Sequence, residues 1–598
     1  MSLHRRSWTF ACLALISIAS ALIAYWRSFS RMVPYDDEGT MMLSLDRFFR
    51  GQPLYDSVQT IYGPFYYFYE WLAHTLTGSP VSHDLVRWVS VTWWVAAAAV
   101  LFLLVWRTTG SLVLAAVSQY VAFRDLGFIG LETAHPQEAC ITLLLLVALA
   151  AALRGRPAVR WLLIGGFAGI IVLCKINLGA LVLASMGVVF AFALPEGIFG
   201  RLVRVAASLA ALSLAPLLMA ANLRHNWTQV FALVITLSVA ASLAACARYR
   251  IEPRVRWQDA AAAASGLLIS LAAVAAFPLA FHSTPHGMFF NLVIFPSTRF
   301  AQSWSNPMHI STVAIAWTVA NLALAIHWWR RALPEWAVIF LKLGFAGLVL
   351  AFTAIYGLHD LMGLGAPMLW LAAVPAPGAA EEHKHSILRP LLAVMGVLQI
   401  LYAYPVAGAQ AQFATVIFVA IAALNVHDVL PWLAARIPIP ARTAAVAAAL
   451  GVAAMYAHDL ISAAGRYRSF ESLALPGAYR LHVEPGRAAI YRRIADAAHS
   501  CSMLVSEPGI YSLNLFSGVP APPSVSAGLW MLFDTDEQQR LTVGELQRQS
   551  APCAVVNAEV VKFWAGNRDL SRQPLVRYIH DDLQLVFQAG DYQFRARR

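Results

Sequence analysis

Asp36, Asp37 and Glu38 stand side by side in the segment RMVPYDDEGTMMLSLDRFFRGQPLYDSVQTIYGPFYYFYEWLAHTLTG. Three adjacent carboxylates repel one another, so at least one must have a raised pKa or be offset by a cation. That is the profile of a general base or of a cation site. A solvated acidic cap on the helix TMMLSLDRFF is the competing reading, because Asp and Glu favour a helix N-terminus. The balance moves toward chemistry because Tyr55, Tyr62, Phe65, Tyr66, Tyr67, Phe68, Tyr69 and Trp71 follow in the same segment. Aromatics at this density suit helices lying along a membrane–water interface, where they can shape a groove beside the carboxylates.

A second acidic group lies in LETAHPQEACITLLLLVALAAAL, where Glu132, His135 and Glu138 precede or open an apolar helix. Proline is tolerated in a first turn, so His-Pro marks the helix start. These residues either cap the helix or turn toward the first carboxylates. Lys175 interrupts the apolar stretch IIVLCKINLGALVL. An ammonium inside a membrane span costs a few kcal/mol unless it faces protein or water. It therefore calls for an anionic partner, a phosphate being one candidate and a structural ion pair or snorkelling the other. Arg299 in VIFPSTRFAQSW and His359-Asp360 in YGLHDLMGLGAP add polar groups. A divalent cation on the carboxylate triplet is conceivable, but no ligand set with diagnostic spacing is present. MGLGAP lacks the strand, third glycine and acidic partner of a nucleotide fingerprint.

The elements that must position these residues are membrane helices. Of 598 residues, 59% are hydrophobic and 13% charged, against roughly 45–50% apolar and 25% charged in soluble domains. Thr9 to Trp26, Trp88 to Trp106 and Ala260 to Phe281 carry no charge, and each is long enough for about 30 Å of hydrocarbon. Similar runs recur along the chain and predict about 13 to 15 spans. The runs 161–174 and 178–194 are short and read as one broken hairpin. Gly165 and Gly169 have the spacing of a close helix contact.

Lys and Arg cluster at His4-Arg5-Arg6, Arg154 to Arg160, Arg201 to Arg204, Arg248 to Arg256, Arg330-Arg331, Lys384 to Arg389 and Arg436 to Arg442. Every second loop is basic, which places these loops and the N-terminus in the cytoplasm. The loops 27–84, 129–138, 282–308 and 357–360 then face outward, as does the C-terminal segment. The net charge of +11 sits beside helices, where it sets topology, and does not point to nucleic acid. Within residues 1–22, His4-Arg5-Arg6 precedes an apolar run ending Ala19-Ser20-Ala21, as in a signal peptide, but the run is long for such a segment and favours an uncleaved anchor.

The expected fold is thus mainly α: a polytopic transmembrane bundle over 1–464, including the first outward loop 27–84, followed by a small outward α/β domain over 465–598. In that domain IYRRIADAAH reads as a helix, SMLVSE and AVVNAEVV as strands, and LVRYIHD with LQLVFQAGDYQF as a hairpin-like pair. Cys501 and Cys553 each open a strand-like run in a segment assigned to an oxidising compartment. Whether they pair is open, because strand adjacency cannot be read from sequence. The other four cysteines lie in or beside apolar segments and read as small core residues.

Asp37-Glu38-Gly39, then Gly51 to Tyr55, then Gly63-Pro64-Phe65 resemble, in order, the first outward loop of bacterial GT-C superfamily glycosyltransferases related to protein O-mannosyltransferases and the lipid A aminoarabinose transferase. HPQEA is similar to that family's second acidic stretch and LCKINLGA to its lysine-containing segment. The resemblance implies an inverting hexosyl- or pentosyltransferase in a bacterial inner membrane, with a polyprenyl-phosphate sugar as donor and a glycan, lipid or protein as acceptor. Asp37 and Glu38 would be catalytic. Asp36, Tyr62, Glu132, His135, Glu138, Lys175, Arg299 and His359 would contact substrate, with Lys175 or Arg299 on the donor phosphate.

Two other classes stay open. Intramembrane charges in many helices also describe a polytopic transporter or lipid flippase of envelope precursors, although no paired half-sequence symmetry is present. A non-catalytic assembly partner is the third.

Overall fold

The computed structural model describes residues 3–153, 155–252, 254–297, 306–308, 310–375, 386–406, 408–436, 440–525, 534–566 and 568–597. Among the described residues, ten helices are long and apolar enough to cross a membrane, and three shorter apolar helices accompany them. The chain is a transmembrane helical bundle with a small sheet-containing region at its C-terminus.

Helix α1 (Leu3–Ser28) delivers the chain to the first loop, which folds into α2 (Asp37–Phe49) and α3 (Pro64–Thr77). The bundle then runs through α4 (His83–Thr109), α5 (Leu112–Asp125), α6 (Gln137–Ala151), α7 (Pro157–Val172), α8 (Ile176–Ala193), α9 (Ile198–Leu218), α10 (Asn226–Arg248) and α11 (Trp257–Ala280). Of the two short runs, the second forms α8, long and apolar enough to cross a membrane, and the first forms the shorter apolar helix α7, with residues 173–175 between them. The two predicted glycines bring α7 against α11. A Cβ on Gly165 would sit 2.0 Å from the Ala263 carbonyl oxygen, and one on Gly169 2.1 Å from Ser270 Oγ, so only glycine permits this approach. Farther along, Lys342 and Arg389 share the Asp428 carboxylate inside the bundle, which partners charges that would otherwise be orphaned there.

The last bundle helix, Ala441–Ser469, runs five residues past the expected boundary at 464. After it come β1 (Glu471–Ser472) and β2 (His482–Val483), and then a sheet of β3 (Met503–Glu507), β4 (Pro552–Asn557), β5 (Gln584–Ala589) and β6 (Tyr592–Ala596) in the order β3-β4-β6-β5. β3 and β4 are parallel, with Leu504 opposite Cys553. This adjacency joins Cys501 to Cys553 in a disulfide. Two readings of this region need correction. LVRYIHD lies in the helix Pro574–Asp581, whose buried Leu575, Tyr578 and Ile579 follow helical spacing after a first-turn proline. The second half of AVVNAEVV is helical too, because Asn557 accepts from the Val560 N–H and caps Ala558–Ala565. The late hairpin is β5 and β6 alone.

This C-terminal unit sits on the first loop. Phe29 O accepts from the His482 N–H at 2.8 Å, and the Asp84 carboxylate accepts from the N–H groups of Tyr479 and Arg480, each at 3.1 Å. Arg47 of α2 donates to the carbonyls of Val525 and Pro522 at 2.7 and 2.8 Å.

Candidate functional site

Asp36 adopts a left-handed backbone conformation, φ 54° and ψ 45°, which Asp tolerates better than most residues. From there its carboxylate caps α2, accepting from the Gly39 N–H at 3.1 Å. The same carboxylate accepts from the Ser512 N–H at 2.7 Å and the Ser512 hydroxyl at 2.5 Å. Gly39 is required by this packing, since a Cβ would lie 2.1 Å from Asp36 Oδ2 and 2.4 Å from Ser512 N. Burial raises the Asp36 carboxyl to about 6 even though both Ser512 bonds pull it down.

Successive residues of a helix point about 100° apart, so the triplet splits three ways. Glu38 turns to α4, where Arg87 Nε and Nη2 donate to its two oxygens at 2.8 and 2.5 Å. His83 Nδ1 lies 3.0 Å from Oε1. Burial alone would raise the Glu38 carboxyl, but Arg87 and then His83 outweigh it and hold it at about 2. Arg87 Nη1 also donates to the carbonyls of Ser28 and Arg31, clamping the exit of α1. A carboxylate engaged in this way is poorly suited to accept a proton.

Asp37 is left between them. It is half-buried, and its carboxylate makes no hydrogen bond or ion pair among the described residues. Burial and then the charge of Asp36 raise its carboxyl to about 7, with Lys175 pulling the other way. Lys175 lies outside the membrane-spanning helices. It occupies the break between α7 and α8, N-capping α8. Its ammonium lies 5.5 Å from the centre of the Tyr62 ring and 4.9 Å from that of Tyr402, contacts of about 0.5–2 kcal/mol each. It forms no ion pair among the described residues. Burial lowers its pKa to about 8, against nearby acidic groups including Glu132 and Asp37.

The first loop reaches Lys175 through its Gly-Pro step. Gly63 and Phe65 N–H groups donate to the carbonyls of Cys174 and Leu173, each at 3.0 Å. A Cβ on Gly63 would sit 2.1 Å from Leu173 O. The aromatic run follows as α3, where Tyr66, Tyr67 and Tyr69 are buried instead of lying along a lipid surface.

Glu132 and His135 join the same group. The Tyr35 hydroxyl donates to Glu132 Oε1 at 3.2 Å, and Tyr62 Oη lies 3.1 Å from His135 Nε2. Burial and then the nearby Asp37 raise the Glu132 carboxyl well above its ordinary value, while burial and then Lys175 push His135 well below its own. Both effects favour the neutral imidazole. Glu138 is buried and accepts from the His135 N–H at 3.3 Å, a cap for α6. Arg299 lies outside the described residues. His359 sits apart, lining a different cavity with Arg27 and Arg31.

Sequence reading missed Arg87, His83, Tyr35, Tyr402 and Ser512. Arg87 had a signal, a cation in the first turns of an apolar span. Ser512 had none. Among the described residues, no three His, Cys, Asp or Glu side chains are placed to hold a metal ion. The reason is visible in the triplet, whose outer members turn to Ser512 and Arg87.

No protein-family model and no curated protein matches this chain. Among solved structures, the chain aligns with ArnT from Cupriavidus metallidurans bound to undecaprenyl phosphate at 12% identity. That alignment covers 98% of this chain and 97% of the other, with a TM-score of 0.49. The archaeal oligosaccharyltransferase AglB from Archaeoglobus fulgidus, in complex with an inhibitory peptide and a dolichol-phosphate, aligns at 11% identity. It covers 99% of this chain and 74% of the other, with a TM-score of 0.45.

Proposed function

We propose that this chain is a membrane glycosyltransferase that takes a sugar from a polyprenyl-phosphate donor and passes it to a hydroxyl-bearing acceptor outside the cytoplasm. The observation that carries the reading is that a half-buried, unengaged carboxylate, Asp37, and an unengaged ammonium, Lys175, belong to one polar group with Tyr62, Glu132 and His135. Transfer from a lipid phosphate asks for one group that takes a proton and another that receives a leaving phosphate.

In this mechanism Asp37 accepts the proton of the acceptor hydroxyl while that oxygen bonds to the anomeric carbon. The bond from that carbon to the phosphate oxygen breaks, and the phosphate leaves with the electron pair toward Lys175. Attack opposite the leaving group inverts the anomeric centre. Glu38 and Asp36 position α2, and His135 holds the Tyr62 ring beside the ammonium. A phosphate sugar carried in the bilayer suits a site at the end of the bundle away from the basic loops.

The distribution of charge supports that polarity. Arg204 and Arg254 share Glu196 at the end opposite the first loop, and basic residues mark the cytoplasmic side. The Cys501–Cys553 disulfide suits an oxidising compartment on the other side.

The test is mass spectrometry of envelope glycans and lipids from cells lacking the gene, complemented with wild type or Asp37→Asn. The reading expects a component shifted by one sugar, restored by wild type and not by the variant. Lipid scrambling in proteoliposomes with no sugar shift in cells would favour a flippase instead.

A further inference from the structure

A cavity of about 430 Å³ opens at the same end of the bundle as the C-terminal unit, between the ends of α1, α5, the helix Glu335–Ile355 and the helix Ala441–Ser469. Four guanidiniums line it, Arg27, Arg31, Arg124 and Arg466, against two carboxylates, Asp125 and Asp459. Two of the arginines are accounted for. Arg27 pairs with Asp459 at 2.8 Å, and Arg124 donates to Ala354 O at 3.3 Å and the Tyr120 hydroxyl at 3.4 Å. Arg31 and Arg466 are different, since neither guanidinium has a hydrogen bond or ion pair among the described residues. Both nonetheless face the same space, and burial, then Arg466, then Arg27 disfavour the charged form of Arg31.

Converging like charges in a partly buried cavity are unfavourable unless an anion is shared between them. Guanidinium forks match phosphate oxygens geometrically, and the resulting bonds are charge-assisted. His359 and His458 supply further donors on the same wall. We propose that this cavity binds a phosphate group, held between Arg31 and Arg466, at a site distinct from Lys175. The cavity and the candidate active site are adjacent in the chain, since Leu131 lines the one and Glu132 belongs to the other. Arg31 likewise begins the segment that ends in Asp37. The proposal stands whether or not Asp37 is a base.

The phosphate has two possible sources, free phosphate and the headgroup of a lipid, and one titration separates them. The full chain, purified in an uncharged detergent, is titrated calorimetrically with inorganic phosphate and with dihexanoyl phosphatidic acid, using sodium chloride at equal ionic strength as control. Binding of both ligands identifies recognition of phosphate itself, and binding of the lipid alone identifies a headgroup site. In either case Arg31→Gln and Arg466→Gln should each weaken binding about tenfold or more, the loss of roughly one charge-assisted contact. Arg31→Lys should recover part of it. Protection of Arg31 and Arg466 from phenylglyoxal by the bound ligand, read peptide by peptide in the wild-type protein, gives the same answer without a variant. No binding of either ligand, or binding that both glutamine variants retain in full, overturns the proposal.

Discussion

Ser512 donates both its backbone N–H and its hydroxyl to the carboxylate of Asp36, across 476 positions of sequence. This contact lets the C-terminal unit set the start of α2. With Asp36 drawn up to Ser512 and Glu38 drawn across to Arg87, the one-residue steps of the helix leave Asp37 facing the polar group around Lys175. The outer two acids are anchors, and the middle one is available.

Removing the anchor hydroxyl should therefore loosen the docking of the two regions. A hydrogen bond to a charged group contributes about 1.5–3 kcal/mol, so Ser512→Ala should weaken the contact by that order. Hydrogen–deuterium exchange should accelerate in Asp36–Phe49 while the membrane helices keep their protection. Unchanged exchange in that segment would show that Ser512 does not hold α2.

Glu38→Gln should behave as a folding variant. The resemblance implies a catalytic Glu38, whereas its contacts with Arg87 and His83 favour a structural role. Removing one partner of a buried pair leaves the other charge uncompensated, at a cost of about 3–5 kcal/mol. Thermal unfolding in detergent should shift down clearly, and Glu38→Gln combined with Arg87→Met should recover part of the loss. Wild-type melting with lost activity would return Glu38 to the chemistry.

These two cases show where sequence reading stopped. Helix spans were legible because hydrocarbon length and charge exclusion act on contiguous residues, as at Trp88 to Trp106 within α4. Gly165 and Gly169 were legible because their spacing is local. The division of Asp36, Asp37 and Glu38 was not, because it is decided by Ser512, Arg87 and Lys175, each brought in by tertiary packing. Lys175 was legible in part, since the gap between the runs 161–174 and 178–194 puts it at a helix boundary, whereas its contacts with the rings of Tyr62 and Tyr402 depend on packing. The helix Pro574–Asp581 was read as strand because a short apolar run fits both periods.

Lys175→Met should reduce affinity for a polyprenyl-phosphate sugar while leaving insertion and melting close to wild type. The ammonium has no ion pair to lose among the described residues, and methionine keeps contact with the rings of Tyr62 and Tyr402. A direct binding titration with the lipid donor checks this. Equal donor affinity in the two proteins would assign Lys175 to structure.

Asp37→Asn carries the most weight. The amide is nearly isosteric, and with no contact to lose among the described residues it should leave folding intact. A general base contributes about 100- to 10,000-fold, so sugar transfer should fall by that order. The pH profile gives a second, independent sign. The Asp37 carboxyl is raised to about 7 by burial and by Asp36, and only its ionised form accepts a proton, so kcat/KM should climb as pH passes 7. Lys175 is lowered to about 8 and acts while protonated, so the rate should fall again above that value. Asp37→Asn should abolish the rising limb near pH 7 in whatever activity remains. A variant that transfers sugar at the wild-type rate, or that keeps the rising limb, would remove Asp37 from the proton transfer and leave it as part of the α2 cap.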